Sequence, residues 1–143
     1  MASKANAVWT GSVKEGKGTI STGTGVLNNA NYSFATRFEG AANGTTPEEL
    51  IAAAHASCYS MALSALLGGV GLTPYSIETQ AAVTLAKVGE GFAITRIALT
   101  TTANVPGATR EVFDQAAADA KAGCPISKLF ANNTEITLDA KLV

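Results

Sequence analysis

The chain has 143 residues, 47% of them hydrophobic and only 15% charged, with a net charge of −1 and a single histidine. That length makes one ordinary domain, residues 1–143, able to bury roughly 70% of the surface its unfolded form exposes without a metal or disulfide staple. A near-neutral chain of pI 5.8 has no field to attract phosphate backbones or anionic lipid, which excludes nucleic acid and acidic membranes as expected partners.

A typical domain carries about 25% charged residues. The lower fraction here, with abundant alanine, points to extra hidden surface such as a dimer interface. Met1-Ala2-Ser3-Lys4-Ala5-Asn6 contains no apolar leader, so a cytoplasmic address is expected. The apolar run 50–67 is rich in alanine and broken by His55, Ser57, Ser60 and Ser64; it reads as a core helix and not as a membrane span.

The first third predicts short strands and turns: Ala7-Val8-Trp9, then 18–22, then 32–38, with Gly and Asn between them. Alternation along 32–38 puts Tyr32, Phe34, Thr36 and Phe38 on one face and Arg37 on the other. Thr46-Pro47-Glu48-Glu49 then combines a hydroxyl cap, proline at the first helical position and a closing glutamate, a capping box that starts a helix. Along it Leu50, Ile51, Ala54, Cys58, Met61, Ala62, Ala65 and Leu66 recur at helical spacing, and the run stops at Gly68-Gly69.

Two strands follow, 75–88 and 92–105, joined through Gly89-Glu90-Gly91 as a hairpin. Ile77, Ala81, Val83 and Leu85 share one face of the first. In the second, Phe92 and Ile94 have the opposite parity from Ile97 and Leu99, which calls for a bulge or for two covered faces. A helix over 109–122 carries a stripe of Val112, Phe113, Ala116, Ala117 and Ala120. Pro125 opens a short helix holding Ile126, Leu129 and Phe130, and a last strand alternates Ile136, Leu138, Ala140 and Leu142 with polar residues. Strands grouped in runs between helices give an α+β class with mainly antiparallel sheet.

Chemistry concentrates at the two cysteines, 66 positions apart. Cys58 reads as a buried attacker on an apolar helix, and Cys124, in Gly123-Cys124-Pro125, as its accessible partner at a helix N-cap, where amides and dipole favour thiolate. In a reducing compartment such a pair is catalytic or redox-sensing more often than a permanent bridge. Cys58 lies ~16 Å along the axis from the start of its helix at ~1.5 Å per residue, beyond the reach of the helix dipole. Burial alone raises a thiol pKa, so a cation must come to it. Arg37 is the best candidate, with Glu48 in the capping turn to hold its guanidinium; Arg37, Glu48 and Cys58 form a candidate triad.

Each residue also has an ordinary reading. A lone Cys on an apolar helix face is a small core residue, Cys-Pro after Gly is a common helix junction, Arg37 can be a surface charge, and Glu48 can simply complement a dipole. His55, three residues before Cys58, suggests a Cys-His nucleophile pair but has no evident third, orienting group. Two Cys and one His do not make a structural zinc site.

Taken together, Arg37-Phe38-Glu39-Gly40, the run from Thr46-Pro47-Glu48-Glu49 to Ala56-Ser57-Cys58, and Ala122-Gly123-Cys124-Pro125-Ile126-Ser127 resemble the OsmC/Ohr family of organic hydroperoxide peroxidases, most closely its osmotically inducible branch. The likeness covers nearly the whole chain. It departs in detail: Thr46 stands where Asn is common, Tyr59 where Phe is common, and Ile126 where the hydroperoxide-resistance branch carries an aromatic residue.

The resemblance implies an intertwined homodimer with mainly antiparallel sheets around a long central helix and active sites at the subunit interface. It implies Cys58 as peroxidatic cysteine, Cys124 as resolving cysteine, and Arg37 with Glu48 as activators of the thiolate. The substrate would be an alkyl or fatty-acid hydroperoxide, the reductant a dithiol such as a lipoylated protein, and no metal, flavin or haem is expected. The competing expectation is a non-catalytic binder of apolar ligands with structural cysteines; a general thiol-disulfide exchanger is disfavoured by the lack of Cys-x-x-Cys.

Overall fold

The computed structural model describes all residues, 1–143, as two compact units, Met1–Leu50 and Ile51–Val143. The class is α+β, with four helices and two three-stranded sheets.

In the first unit β1 (Ala5–Thr10), β2 (Lys17–Thr22) and β3 (Ala30–Tyr32) pair antiparallel in sequence order. Gly18 sits opposite Trp9 on one side and Tyr32 on the other. The two rings approach to 5.4 Å between centroids, and a Cβ at Gly18 would fall on the Tyr32 ring. Only glycine leaves that space.

Residues 32–38 do not form the expected strand. β3 stops at Tyr32, and Phe34–Phe38 is a short helix, α1. Ser33 and Thr36 close a reciprocal capping box: the Thr36 N–H donates to Ser33 Oγ at 3.1 Å, and the Ser33 N–H to Thr36 Oγ1 at 2.9 Å. Two backbone donors are thereby satisfied locally. Phe34 and Phe38, read as sharing a strand face, instead stack one helical turn apart with centroids at 4.8 Å.

The long helix α2 spans Pro47–Gly69. The Glu49 N–H donates to Thr46 Oγ1 at 3.0 Å as predicted, while the Glu49 carboxylate accepts the Thr45 hydroxyl at 2.6 Å. The far end closes with the Leu72 N–H on the Leu67 carbonyl (2.9 Å) and the Gly71 N–H on that of Gly68 (3.0 Å), Gly71 taking φ +78. This paired arrangement requires a left-handed residue, which glycine supplies without strain.

In the second unit, β4 (Ser76–Val88) and β5 (Gly91–Asn104) form the predicted hairpin, and β6 (Glu135–Leu142) lies parallel to β5 on its other edge. The parity switch in β5 is a bulge: Thr84 faces Arg96 and Leu85 faces Ile94, leaving Thr95 over. β5 and β6 are joined by α3 (Arg110–Gly123) and α4 (Pro125–Phe130). Thr109 caps α3, its hydroxyl accepting the Val112 N–H at 3.3 Å.

The core of this unit comprises Tyr59, Leu63 and Leu67 from α2, Ile97, Leu99 and Ala103 from β5, and Phe113, Ala116, Ala117 and Ala120 from α3. Each large apolar side chain among them contributes ~1.5–3 kcal/mol of burial. The Tyr59 hydroxyl, deep in this core, donates to the Ala117 carbonyl at 3.3 Å.

The buried face of α2 differs from the predicted stripe. His55, Tyr59, Leu63 and Leu67 point inward at every fourth position, whereas Met61 is 76% exposed and Ala54, Ala65 and Leu66 are also exposed. The cause lies in composition: α2 is apolar all round, long and apolar enough to cross a membrane by length and mean hydropathy (1.6), and only 22% of that window is buried. With so little contrast around the helix, periodicity cannot select a face. In α4 likewise Ser127 is buried and Leu129 exposed, the reverse of its apolar pattern.

Two glycines at the far end of this helix give opposite expectations for one chemical change. Gly71→Ala forces a side chain into the left-handed region and should cost about 1–2 kcal/mol. Gly68→Ala, whose Cβ would enter open space, should add about 0.5–1 kcal/mol by removing backbone freedom from the unfolded chain. Denaturant unfolding of both variants beside the parent protein reads the two signs directly.

Candidate active site

Tyr59 is drawn into the core, so the preceding residue, Cys58, lies at the margin of the buried face of α2 and is half-buried. At the start of α4, Cys124 takes the N-cap position with Pro125 at the first helical residue. Its side chain caps nothing. Cys124 is completely buried, and its thiol points to Cys58, with the sulfurs 2.9 Å apart. Both are free thiols. The expected exposures are therefore exchanged: Cys58 is the more accessible sulfur, and Cys124 waits behind it.

Burial raises the Cys58 thiol above its ordinary value, and the adjoining Cys124 raises it further, since two sulfurs at this distance cannot both carry charge. A hydrogen bond from the Ile126 backbone, in the first turn of α4, pulls the other way.

His55, one turn before Cys58, is not paired with the nucleophile. Its Nε2 lies 2.7 Å from Ser127 Oγ, and both side chains are buried. Its Nδ1 is buried without a partner, and burial holds the imidazole below its ordinary pKa. Ser127 is a residue that sequence reasoning passed over; its signal was a hydroxyl three positions after Cys124, matching the three positions from His55 to Cys58. No three His, Cys, Asp or Glu side chains converge as a metal ligand set.

In the first unit the Arg37-Glu48 partnership forms as the sequence suggested. Arg37 Nε donates to Glu48 Oε1 (3.0 Å) and Oε2 (3.3 Å), and Nη2 donates to Oε1 at 2.6 Å. Glu48 is the more buried partner, at 11% side-chain exposure against 37% for Arg37. The loop between α1 and α2 is fixed from both sides: the Thr45 N–H donates to the Asn31 carbonyl (2.8 Å), and the Thr36 hydroxyl to the Thr45 carbonyl (3.1 Å). A pocket of about 300 Å³ lined by Trp9, Val13, Tyr32, Phe34, Arg37 and Phe38 opens beside the pair. The Arg37 guanidinium lies 5.4 Å from the centroid of the Phe38 ring. The pocket is aromatic with one fixed cation at its edge.

The fold and the apposed thiols define an α+β protein with a dithiol site. The OsmC family profile, described as OsmC-like protein, matches residues 40–139, and the chain is 56% identical over 139 residues to proteins named Peroxiredoxin OsmC from Escherichia coli K12 and from Shigella flexneri, covering 97% of this chain and 95% of each relative. This chain belongs to the OsmC family. Among solved structures it is similar to the organic hydroperoxide resistance protein OhrB of Bacillus subtilis (TM-score 0.73, 26% identity, 96% of this chain and 98% of that one). The fold is shared with an OsmC-like protein from Mycoplasma pneumoniae (TM-score 0.77, 14% identity, 100% and 98% covered).

Because the neighbouring sulfur helps hold Cys58 protonated, Cys124→Ala should move the midpoint of Cys58 alkylation by iodoacetamide to lower pH. A rate-pH profile that stays in place or moves upward would show that Cys124 has no part in raising Cys58.

Proposed function

We propose that this protein is a thiol-dependent peroxidase that reduces organic hydroperoxides, alkyl or fatty-acid, to alcohols. The observation that carries this reading is the 2.9 Å approach of Cys58 and Cys124, 66 residues apart in the chain. Cys58 thiolate attacks the terminal oxygen of the O–O bond; the alcohol leaves, taking up a proton, and Cys58 becomes a sulfenic acid. The Cys124 sulfur then attacks the Cys58 sulfur, the S–S bond forms, and the sulfenic oxygen departs as water. A dithiol returns both thiols by exchange and is itself oxidised to a disulfide. The family resemblance favours a lipoylated protein as that dithiol.

Arg37 is assigned as the cation that stabilises the thiolate and the departing alkoxide, and Glu48 as the carboxylate that fixes its orientation. The two-pronged Arg37-Glu48 contact supports this assignment, as does the need for a positive charge at a sulfur that burial otherwise keeps protonated. The aromatic pocket beside Arg37 suits a hydrocarbon tail with its peroxide end toward the guanidinium.

The whole chain, 1–143, acts as one domain in this reading, as alignment of the curated relatives along 97% of it supports. The exposed apolar surface of α2, Met61 and Leu66 included, is assigned to a second copy of the chain in a cytoplasmic homodimer. The competing function, a passive apolar-ligand binder, requires no meeting of the sulfurs.

Cys58→Ser should abolish consumption of an organic hydroperoxide in the presence of excess dithiol, and retained turnover would overturn the assignment. Cys124→Ser should consume one equivalent and stop when no external thiol is supplied. Arg37→Ala and Glu48→Ala should lower kcat/KM on the order of 100-fold and displace its pH profile upward, because less Cys58 is ionised at a given pH. Steady-state kinetics across pH, with both variants checked for folding, tests those roles.

A further inference from the structure

Three contacts attach the start of α4 to α2. The Cys124 thiol meets Cys58 Sγ at 2.9 Å, the Ile126 backbone hydrogen-bonds to the Cys58 sulfur, and Ser127 Oγ lies 2.7 Å from His55 Nε2. The first two end on the sulfur that the peroxidase cycle transforms, so they are altered when Cys58 gains an oxygen. The third does not touch a reacting atom. It joins residues placed three positions from each cysteine, His55 before Cys58 on α2 and Ser127 after Cys124 on α4.

His55 and Ser127 are both buried, at 0% and 3% exposure. Ser127 is the polar partner of the imidazole, whose Nδ1 has none. Separation of α4 from α2 would therefore leave the whole ring unpaired in an apolar interior, a state that buried polar groups resist. Ser127 also lines a cleft of about 550 Å³ together with Ala122, Ala131, Ile136, Lys121 and Thr134, and the Thr134 hydroxyl is already engaged with the Ile94 carbonyl and Asn133 Oδ1.

We propose that His55 and Ser127 are positioning residues for the resolving step, a buried clamp that keeps Cys124 within reach while Cys58 is a sulfenic acid. This rests on the peroxidase reading. Condensation of the two sulfurs releases water and needs them aligned and nearly in contact, and small displacements of reacting atoms cost large factors in rate. The clamp acts on that second step and leaves the first, attack on the hydroperoxide, alone. It also raises the effective concentration of one thiol beside the other, which stabilises the disulfide against an external dithiol.

The test separates the two chemical steps by rapid mixing with one equivalent of cumene hydroperoxide, acid quench and mass spectrometry, with dimedone present to trap sulfenic acid. Ser127→Ala should form sulfenic acid at the parent rate within about twofold, and form the disulfide on the order of ten- to a hundred-fold more slowly. Dimedone adduct, and sulfinic acid under excess peroxide, should rise accordingly. Ser127→Thr, which keeps the hydroxyl, should recover the disulfide rate. Should Ser127→Ala fold poorly, the double variant His55→Leu with Ser127→Ala removes both polar partners without leaving one unpaired and should show the same selective slowing.

Disulfide formation at the parent rate in these variants overturns the clamp, as does equal slowing of both steps without recovery in Ser127→Thr. A second measurement stands apart from peroxide chemistry: equilibrium of the Cys58-Cys124 pair against dithiothreitol should shift about tenfold toward the dithiol in Ser127→Ala, by loss of effective concentration. An unchanged equilibrium counts against the clamp. Failure of the parent protein to react with hydroperoxide counts against the peroxidase reading and leaves this equilibrium as the measure of the clamp.

Discussion

Burial of every fourth residue along α2 is the constraint on which the second unit depends. His55, Tyr59, Leu63 and Leu67 face inward, and their packing fixes the rotation of the helix about its axis. That rotation places Cys58 at the margin of the core, half-buried, while Cys124 is sealed behind it. A helix turned by one residue would bring Cys58 fully inside or fully outside. Inside, the sulfur is inert; outside, it has no partner. The site is thus a consequence of how four side chains on the same helix fill space.

The Arg37-Glu48 pair has a different logic. With Glu48 buried and Arg37 partly exposed, the attraction within the pair offsets the cost of taking the carboxylate out of water, so its function lies in geometry. Two nitrogens of the guanidinium meet one carboxylate in the first turn of α2, and Thr45 in the loop leading into that turn is tied to Asn31 and Thr36. Orientation, and not folding energy, is what such a fork supplies.

Much of this was legible in the sequence where pattern and local chemistry agreed. The β4-β5 hairpin, the last strand and the α3 stripe apart from the exposed Val112 follow from their periods, and the parity change in β5, open between a bulge and two covered faces, is a bulge at Thr95. Residues 32–38 failed because alternating aromatics imitate a strand, while the Ser33-Thr36 cap satisfies the backbone as a helix. The inner face of α2 could not be read because the helix offers alanine and leucine on every side. For the site, Arg37, Glu48 and the two cysteines carried recognisable motifs. The exchange of exposure between the sulfurs and the link from His55 to Ser127 arise from packing between elements far apart in sequence, which no local pattern encodes.

The parallel placement of β6 beside β5 has a consequence for how the molecule is made. Parallel neighbours need a crossover, here the segment containing α3 and α4, so the sheet is completed only after both helices have left the ribosome. Cys124 precedes β6 in the chain, and α4 rests against that strand and α3. During synthesis the second thiol therefore emerges after the α2 cysteine it meets but before the strand that α4 rests against. Loop closure across the crossover completes the support of α4, a step later than the appearance of either cysteine.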